Sequence, residues 1–256
     1  MERDHAEPRS LPWLIATGTL GAAEAAILSL AVEMRRSVIV AAAEDKAGKT
    51  TLLTALLQFM DPSTRPVYIR GIYERFEYLS QLDPVDRYVL CNEISAHLPT
   101  YLWGRGVRNL FAGLGNGFPL ATTMHAGSSQ EAIDALQSYP LEVPPQYVTG
   151  IDLIVTLRKG MVDGHQVRRV VAVDRIRERR GVPDLQQLAV RDPMRAAPQI
   201  FSGRMVAAIA AWGNLTDNEA SRLLASQERF LAESTAEFAN DPQGFSQALE
   251  RFRSGN

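Results

Sequence analysis

Apolar positions between Ala22 and Arg35 recur at helical spacing, at Ala25, Ile27, Leu28, Leu30 and Ala31, and lead directly into the β-branched run Val38-Ile39-Val40. This predicts an amphipathic helix followed by a buried strand. After a loop over 41–50, Leu52 to Leu57 predicts a second helix that stops near Asp61-Pro62. Further short buried strands are expected at Val67-Tyr68-Ile69, Tyr88 to Cys91 and Leu120 to Thr123. Helical segments are expected between them, over Tyr73 to Leu82 and Leu98 to Leu114. Strand and helix alternate, the pattern of a parallel sheet with helices on its faces.

The pattern changes after Gly150. Ile151 to Leu157 and Val167 to Val173 form two strand-like runs bridged by Arg158 to Gly164, a hairpin expected at the sheet edge. Beyond Pro183 the chain carries Pro193 and Pro198. From Phe201 to Arg253 it then predicts about three helices, the middle one opened by a Thr216-x-x-Glu219 capping box. The expected division is a helical lead-in over 1–36, a core over 37–182, and a linker with a C-terminal helical region over 183–256. The fold class is α/β, with a mainly parallel sheet.

Composition narrows the function classes. The 256 residues are 46% apolar, enough for a sizeable core, and 27 basic against 29 acidic side chains leave a formal charge of −2. The chain as a whole is therefore no polyanion binder, and no specific nucleic-acid partner is expected. The arginines from Arg168 to Arg180 have no aromatic residues between them for base stacking. One cysteine, Cys91, excludes an internal disulfide and a cysteine-based zinc site, which suits the cytoplasm. Leu11 to Val32 is apolar but broken by Gly18, Gly21 and Glu24, so neither a membrane span nor a cleaved signal peptide is expected.

The chemistry concentrates at three strand ends. Ala43-Glu44-Asp45-Lys46-Ala47-Gly48-Lys49-Thr50 fits the P-loop pattern with alanine at the first glycine position. Gly48 lets backbone approach phosphate, Lys49 meets the β- and γ-phosphate charge, and Thr50 offers a hydroxyl to Mg2+. Lys46, Ala47 and Thr51 complete the expected ATP-binding set. Lys46 stands where a glycine would tolerate positive φ. A second strand ends in Asn92-Glu93-Ile94, placing Glu93 where a carboxylate reaches magnesium or an attacking water. His125 follows the strand Leu120 to Thr123 and is a candidate phosphate sensor.

In order and spacing these segments resemble the secretion ATPases of type II secretion, type IV pili and type IV secretion. The P-loop ending Gly48-Lys49-Thr50, the strand ending Asn92-Glu93-Ile94 and the box Thr123-Met124-His125-Ala126 carry the resemblance, which runs from about Leu11 to Ile176. It implies a P-loop, RecA-like core that binds ATP and Mg2+. It also implies a homo-hexamer, or a hetero-oligomer with a membrane-platform protein of a secretion or pilus system, cytoplasmic or peripheral at the inner face of the cell membrane. The expected form is minimal, with a short N-terminal helix in place of the family's N-terminal domain. Where the family carries an acidic box, this chain has Arg70-Gly71, with Glu74 and Glu77 the nearest acids. Glu74, with Glu77 as the open alternative, is the candidate substitute catalytic acid beside Glu93 and His125. The alternative is a nucleotide-binding scaffold or regulatory subunit of such a system that does not hydrolyse ATP.

Overall fold

A computed structural model describes residues 9–98, 100–193, 195 and 197–255. Residues 1–8 of the expected lead-in, and Pro99 within the expected helix from Leu98, lie outside the described residues.

Five strands run parallel: β1 (Val38–Ala41), β2 (Arg65–Tyr68), β3 (Arg87–Ile94), β4 (Leu120–Met124) and β5 (Leu153–Val162). Three more continue the sheet antiparallel: β6 (His165–Arg179), β7 (Val182–Val190) and β8 (Gln199–Ile200). Their order is β2-β3-β4-β1-β5-β6-β7-β8, a mixed sheet of eight strands. β1 is fully buried and divides the core. Val38 and Val40 join the cluster on one face and Ile39 and Ala41 the cluster on the other, as alternating side chains must. All four positions are apolar because both faces are covered.

One face carries α1 (Leu11–Ala16), α2 (Ala22–Glu33), α3 (Lys49–Leu57), α7 (Ser202–Gly213), α8 (Asp217–Phe238) and α9 (Pro242–Ser254), all contributing to a single core. The other carries α4 (Arg105–Leu114), α5 (Ser129–Gln137) and α6 (Pro145–Val148). α2 is not amphipathic as its spacing suggested: every residue from Glu24 to Val32 is buried. α8 explains this, since it covers the face an isolated helix would expose, and its buried Gln227 donates to Ser29 Oγ at 3.0 Å. The Thr216–Glu219 capping box opens α8 as the sequence indicated.

Three differences from the sequence reading have local causes. Tyr73 to Leu82 is not an α-helix but short 3₁₀ turns at Gly71–Tyr73 and Phe76–Gln81, and regular helix begins only at Arg105. The bridge between the hairpin strands is shorter than 158–164. Asp163 and Gly164, with φ of 50° and 79°, make a two-residue turn of the kind that matches strand twist. Arg180 and Gly181 repeat this geometry (φ 56° and 80°) and start β7, a strand where the sequence suggested a linker. Pro183 is tolerated because β8 pairs only with Ala189 and Val190, so no ladder needs an N–H from Pro183 on that side.

No helix among the described residues is long and apolar enough to cross a membrane. α1 and α2 share the apolar stretch but are separated by a turn at Gly18 (φ 71°).

Candidate functional site

The parallel strands β1, β3 and β4 end side by side, and the loops leaving their C-terminal ends meet at one edge. Residues 42–48 form the loop from β1 to α3. Lys46 adopts φ 56° and Gly48 φ 97°, so the backbone turns through left-handed geometry twice within three residues. At Lys46 this costs about 1 kcal/mol. Arg168 of β6 fastens the turn, donating from Nε to the Lys46 carbonyl at 3.0 Å. Ala47 is buried beneath it. The backbone N–H groups of the first turn of α3 have no partner within the helix, and Lys49, Thr50 and Thr51, which carry them, border a cleft where an anion can sit.

Lys49 begins α3 and is itself buried, with its Nζ 3.7 Å from Glu93 Oε1. Thr50, exposed, and Thr51, half-buried, follow on the same turn. Glu93 reaches the lysine because β3 carries an irregularity there. Asn92 and Glu93 together oppose Thr123, between the pairs Cys91–Thr122 and Ile94–Met124. Thr123 Oγ1 holds that geometry, 3.0 Å from the Asn92 carbonyl and 3.4 Å from Glu93 Oε2.

A cleft of about 800 Å³ opens over these groups. Asp45 through Thr51 and Glu93 line it, with Trp13 and Thr19 on the α1 side and Arg168 on the hairpin side. The volume suits a nucleotide-sized ligand. A hydroxyl at Thr50 and a carboxylate at Glu93 are the oxygen donors a magnesium ion takes. Tyr101 also borders the cleft, and its hydroxyl pKa is raised by desolvation and by the charges of Glu93 and Asp45.

His125 and Glu74 are not among the residues lining the cleft. His125 follows β4; its Nδ1 is buried without a hydrogen-bond partner, and its ring meets His97 edge to face at 4.6 Å. Asp45, His97 and His125 each present a ligand atom within 4.8 Å of the other two. Glu74 is occupied locally, accepting from the backbone N–H of Arg70 at 2.7 Å and of Arg75 at 3.0 Å. The Cys91 thiol is pushed up to about 11 by burial, which leaves it unreactive.

Sequence reasoning missed Asp45, His97, Tyr101 and Arg168 as site residues. Asp45 lay inside the loop motif but had no role assigned. His97 and Tyr101 sit in the excursion after β3, whose ends are closed by Leu102 N donating to Glu93 O at 3.0 Å and Ser95 N donating to Leu102 O at 3.2 Å. No periodicity signals that return. Arg168 was read with the hairpin's other arginines. These separate in the fold, Arg169 binding the Pro193 and Arg195 carbonyls and Arg177 pairing with Asp184.

No family model matches the chain. Over 186 residues it is 25% identical to the uncharacterized protein MJ0900 of Methanocaldococcus jannaschii, covering 66% of this chain but 34% of that protein. Over 242 residues it is 25% identical to the uncharacterized protein MJ1287 of the same organism, covering 85% of this chain and 88% of that one. The chain thus spans about a third of the length of one relative and most of the other. Among solved structures, the VirB11 ATPase from the Brucella suis type IV secretion system, in complex with sulphate, is similar with a TM-score of 0.42 and 20% identity, covering 57% of this chain and 50% of that one. The Legionella pneumophila ATPase DotB is similar with a TM-score of 0.34 and 12% identity, covering 84% of this chain and 60% of that one.

Proposed function

We propose that the chain is an ATP-binding subunit with a P-loop, RecA-like core from about residue 37, hydrolysing ATP in a secretion or pilus motor. The carrying observation is the 3.7 Å approach of Lys49 Nζ to Glu93 Oε1 at the start of α3, beneath an open cleft. Strand-end carboxylate, helix-start lysine and left-handed glycine loop are the parts that phosphoryl transfer needs in one place. In this reading Lys49 leaves Glu93 to meet the β- and γ-phosphates, with Lys46, Ala47, Gly48 and Thr51 forming the rest of the cradle. Thr50 and Glu93 would hold magnesium, which would supply charge neutralisation. Glu93 also orients the attacking water, and His125 reads the γ-phosphate through its neighbours at the cleft edge. The motif resemblance supports a homo-hexamer, or assembly with a membrane-platform partner at the inner face of the cell membrane.

One observation favours the second reading, a nucleotide-binding scaffold without hydrolysis. Glu74 is spent on the turn between Arg70 and Arg75, and neither it nor Glu77 lines the cleft, so the acid expected to stand in for the acidic box is not beside Glu93.

Phosphate release from magnesium-ATP and binding of a labelled, non-hydrolysable ATP analogue separate the two. For a motor, wild type binds and turns over, Lys49→Ala loses both, and Glu93→Gln binds within about threefold of wild type but turns over at least a hundredfold more slowly. Binding without turnover in the wild type selects the scaffold. Absence of both overturns the nucleotide reading.

A further inference from the structure

Beside the cleft, three loops each contribute one side chain to a single point. Asp45 comes from the loop after β1, His97 from the excursion after β3 and His125 from the end of β4, and their ligand atoms lie within 4.8 Å of one another. The chain has four histidines, and two of them meet here. We propose that Asp45, His97 and His125 form a binding site for a divalent transition-metal ion of the zinc class, separate from the magnesium donors Thr50 and Glu93.

The donor set decides the class of ion. Two borderline imidazoles beside one hard carboxylate make a mixed nitrogen and oxygen set that suits zinc, cobalt or nickel, whereas magnesium and calcium take oxygen almost exclusively. Three protein ligands leave a coordination position open to water or a ligand in the cleft that Asp45 also lines. An independent sign is the buried Nδ1 of His125, which has no hydrogen-bond partner. A buried imidazole nitrogen left unpaired is costly, and the cost is removed where the ring's orientation serves a metal. At metal–ligand bonds of about 2.0–2.1 Å, tetrahedral donors sit about 3.4 Å apart, so the cluster must tighten by about 1.4 Å at most. Asp45 and His97 are exposed and can close that gap by side-chain rotation, while the half-buried His125 holds its place. Bound metal would then cross-link the P-loop to the loops after β3 and β4.

The site is testable without nucleotide, so its fate does not depend on the ATPase proposal. The untagged full chain, stripped with chelator, is titrated with Zn2+ against a chromophoric chelator in millimolar Mg2+, and its melting temperature is followed with and without Zn2+. The expected result is one equivalent bound with a dissociation constant of about 1 μM or tighter, weakened at least tenfold by His97→Ala and by Asp45→Asn, with His165→Ala unchanged. Zn2+ raises the melting temperature of wild type and not of His97→Ala. Because His97 and Asp45 are exposed, these variants keep the fold. Absence of stoichiometric binding, or binding that survives His97→Ala and Asp45→Asn or is lost in His165→Ala, overturns the proposal.

Discussion

Two buried acid–base pairs lie on opposite sides of function. Arg191, just past β7, meets Glu24 of α2 at 2.5 Å, both side chains almost wholly inaccessible. That pair is embedded in further bonds. Glu24 Oε2 also accepts from the Gly21 N–H at 2.6 Å, and Arg191 donates to the Gly18 carbonyl at 3.2 Å. Lys49 and Glu93 are nearly as buried, yet stand at 3.7 Å, and their cleft is open. Burial alone therefore does not separate structure from chemistry; the number of alternative partners does. Among the described residues Glu24 and Arg191 bond to each other and to the Gly21 and Gly18 backbone, and together they tie the turn before α2 to the far end of the sheet. Lys49 and Glu93 hold one another loosely at 3.7 Å, and under the ATP-binding proposal an incoming phosphate replaces the carboxylate as the lysine's partner.

The largest expected effect breaks the first pair. Burial already raises the Glu24 pKa with Arg191 opposing, so Arg191→Ala strands a buried carboxyl without its cation and should lower unfolding stability at pH 7 by about 3–5 kcal/mol in urea denaturation. The matching change at the second pair should behave differently. Lys49→Ala leaves Glu93 beside an open cleft where water can reach it, so stability should fall by about 1 kcal/mol or less. Affinity for a labelled ATP analogue should fall at least a hundredfold, about 2.7 kcal/mol. Equal stability losses in the two variants would erase the distinction drawn here.

A third acid sharpens it. Asp174 on β6 is buried against Ser129, whose hydroxyl donates to it at 2.6 Å, but among the described residues no cation pairs with it and its Oδ1 lacks a partner. Desolvation raises its pKa above the usual 3.8, with the Ser129 hydrogen bond opposing. A raised carboxylate binds its proton more readily in the folded state. Its contribution is thus most favourable below pH 3.8 and is lost as pH rises from there through the folded value. Asp174→Asn keeps an acceptor for Ser129 and removes the charge, so it should stabilise the protein by about 1 kcal/mol at pH 7 and by progressively less toward pH 3.8. Chemical denaturation across that pH range measures it, and a constant difference would assign the effect to packing.

Much of this was legible in the chain. β1, β3 and β4 were readable because a strand covered on both faces must be apolar at successive positions, and the capping box at Thr216 because its hydrogen bonds are local. The burial of α2 was not, because its cover, α8, lies almost two hundred residues away in sequence. β7 was hidden by Pro183, whose meaning depends on which strand edge is paired. The motifs around Lys49, Thr50 and Glu93 pointed to strand ends, and the topology brings those ends to one cleft. His97 was silent because a loop that leaves and rejoins a strand carries no period, and the cluster it makes with Asp45 and His125 exists only in three dimensions.

The smallest expected effect lies within the loop between β1 and α3. Lys46 is exposed, carries φ 56° and is gripped through its backbone carbonyl by Arg168, so the loop's shape comes from the contact rather than from the residue. Lys46→Gly relieves about 1 kcal/mol of left-handed strain and gives back part of it by widening the unfolded ensemble, for a net gain of about 0.5 kcal/mol in denaturant unfolding. The carbonyl that Arg168 binds is unchanged, so the loop should keep its path. If the lysine's charge takes no part in holding phosphate, affinity for the ATP analogue should be unchanged. If it does, affinity should fall several-fold while stability still rises, and that split would place Lys46 with the loosely held charges of the cleft rather than with the fixed charges of the core.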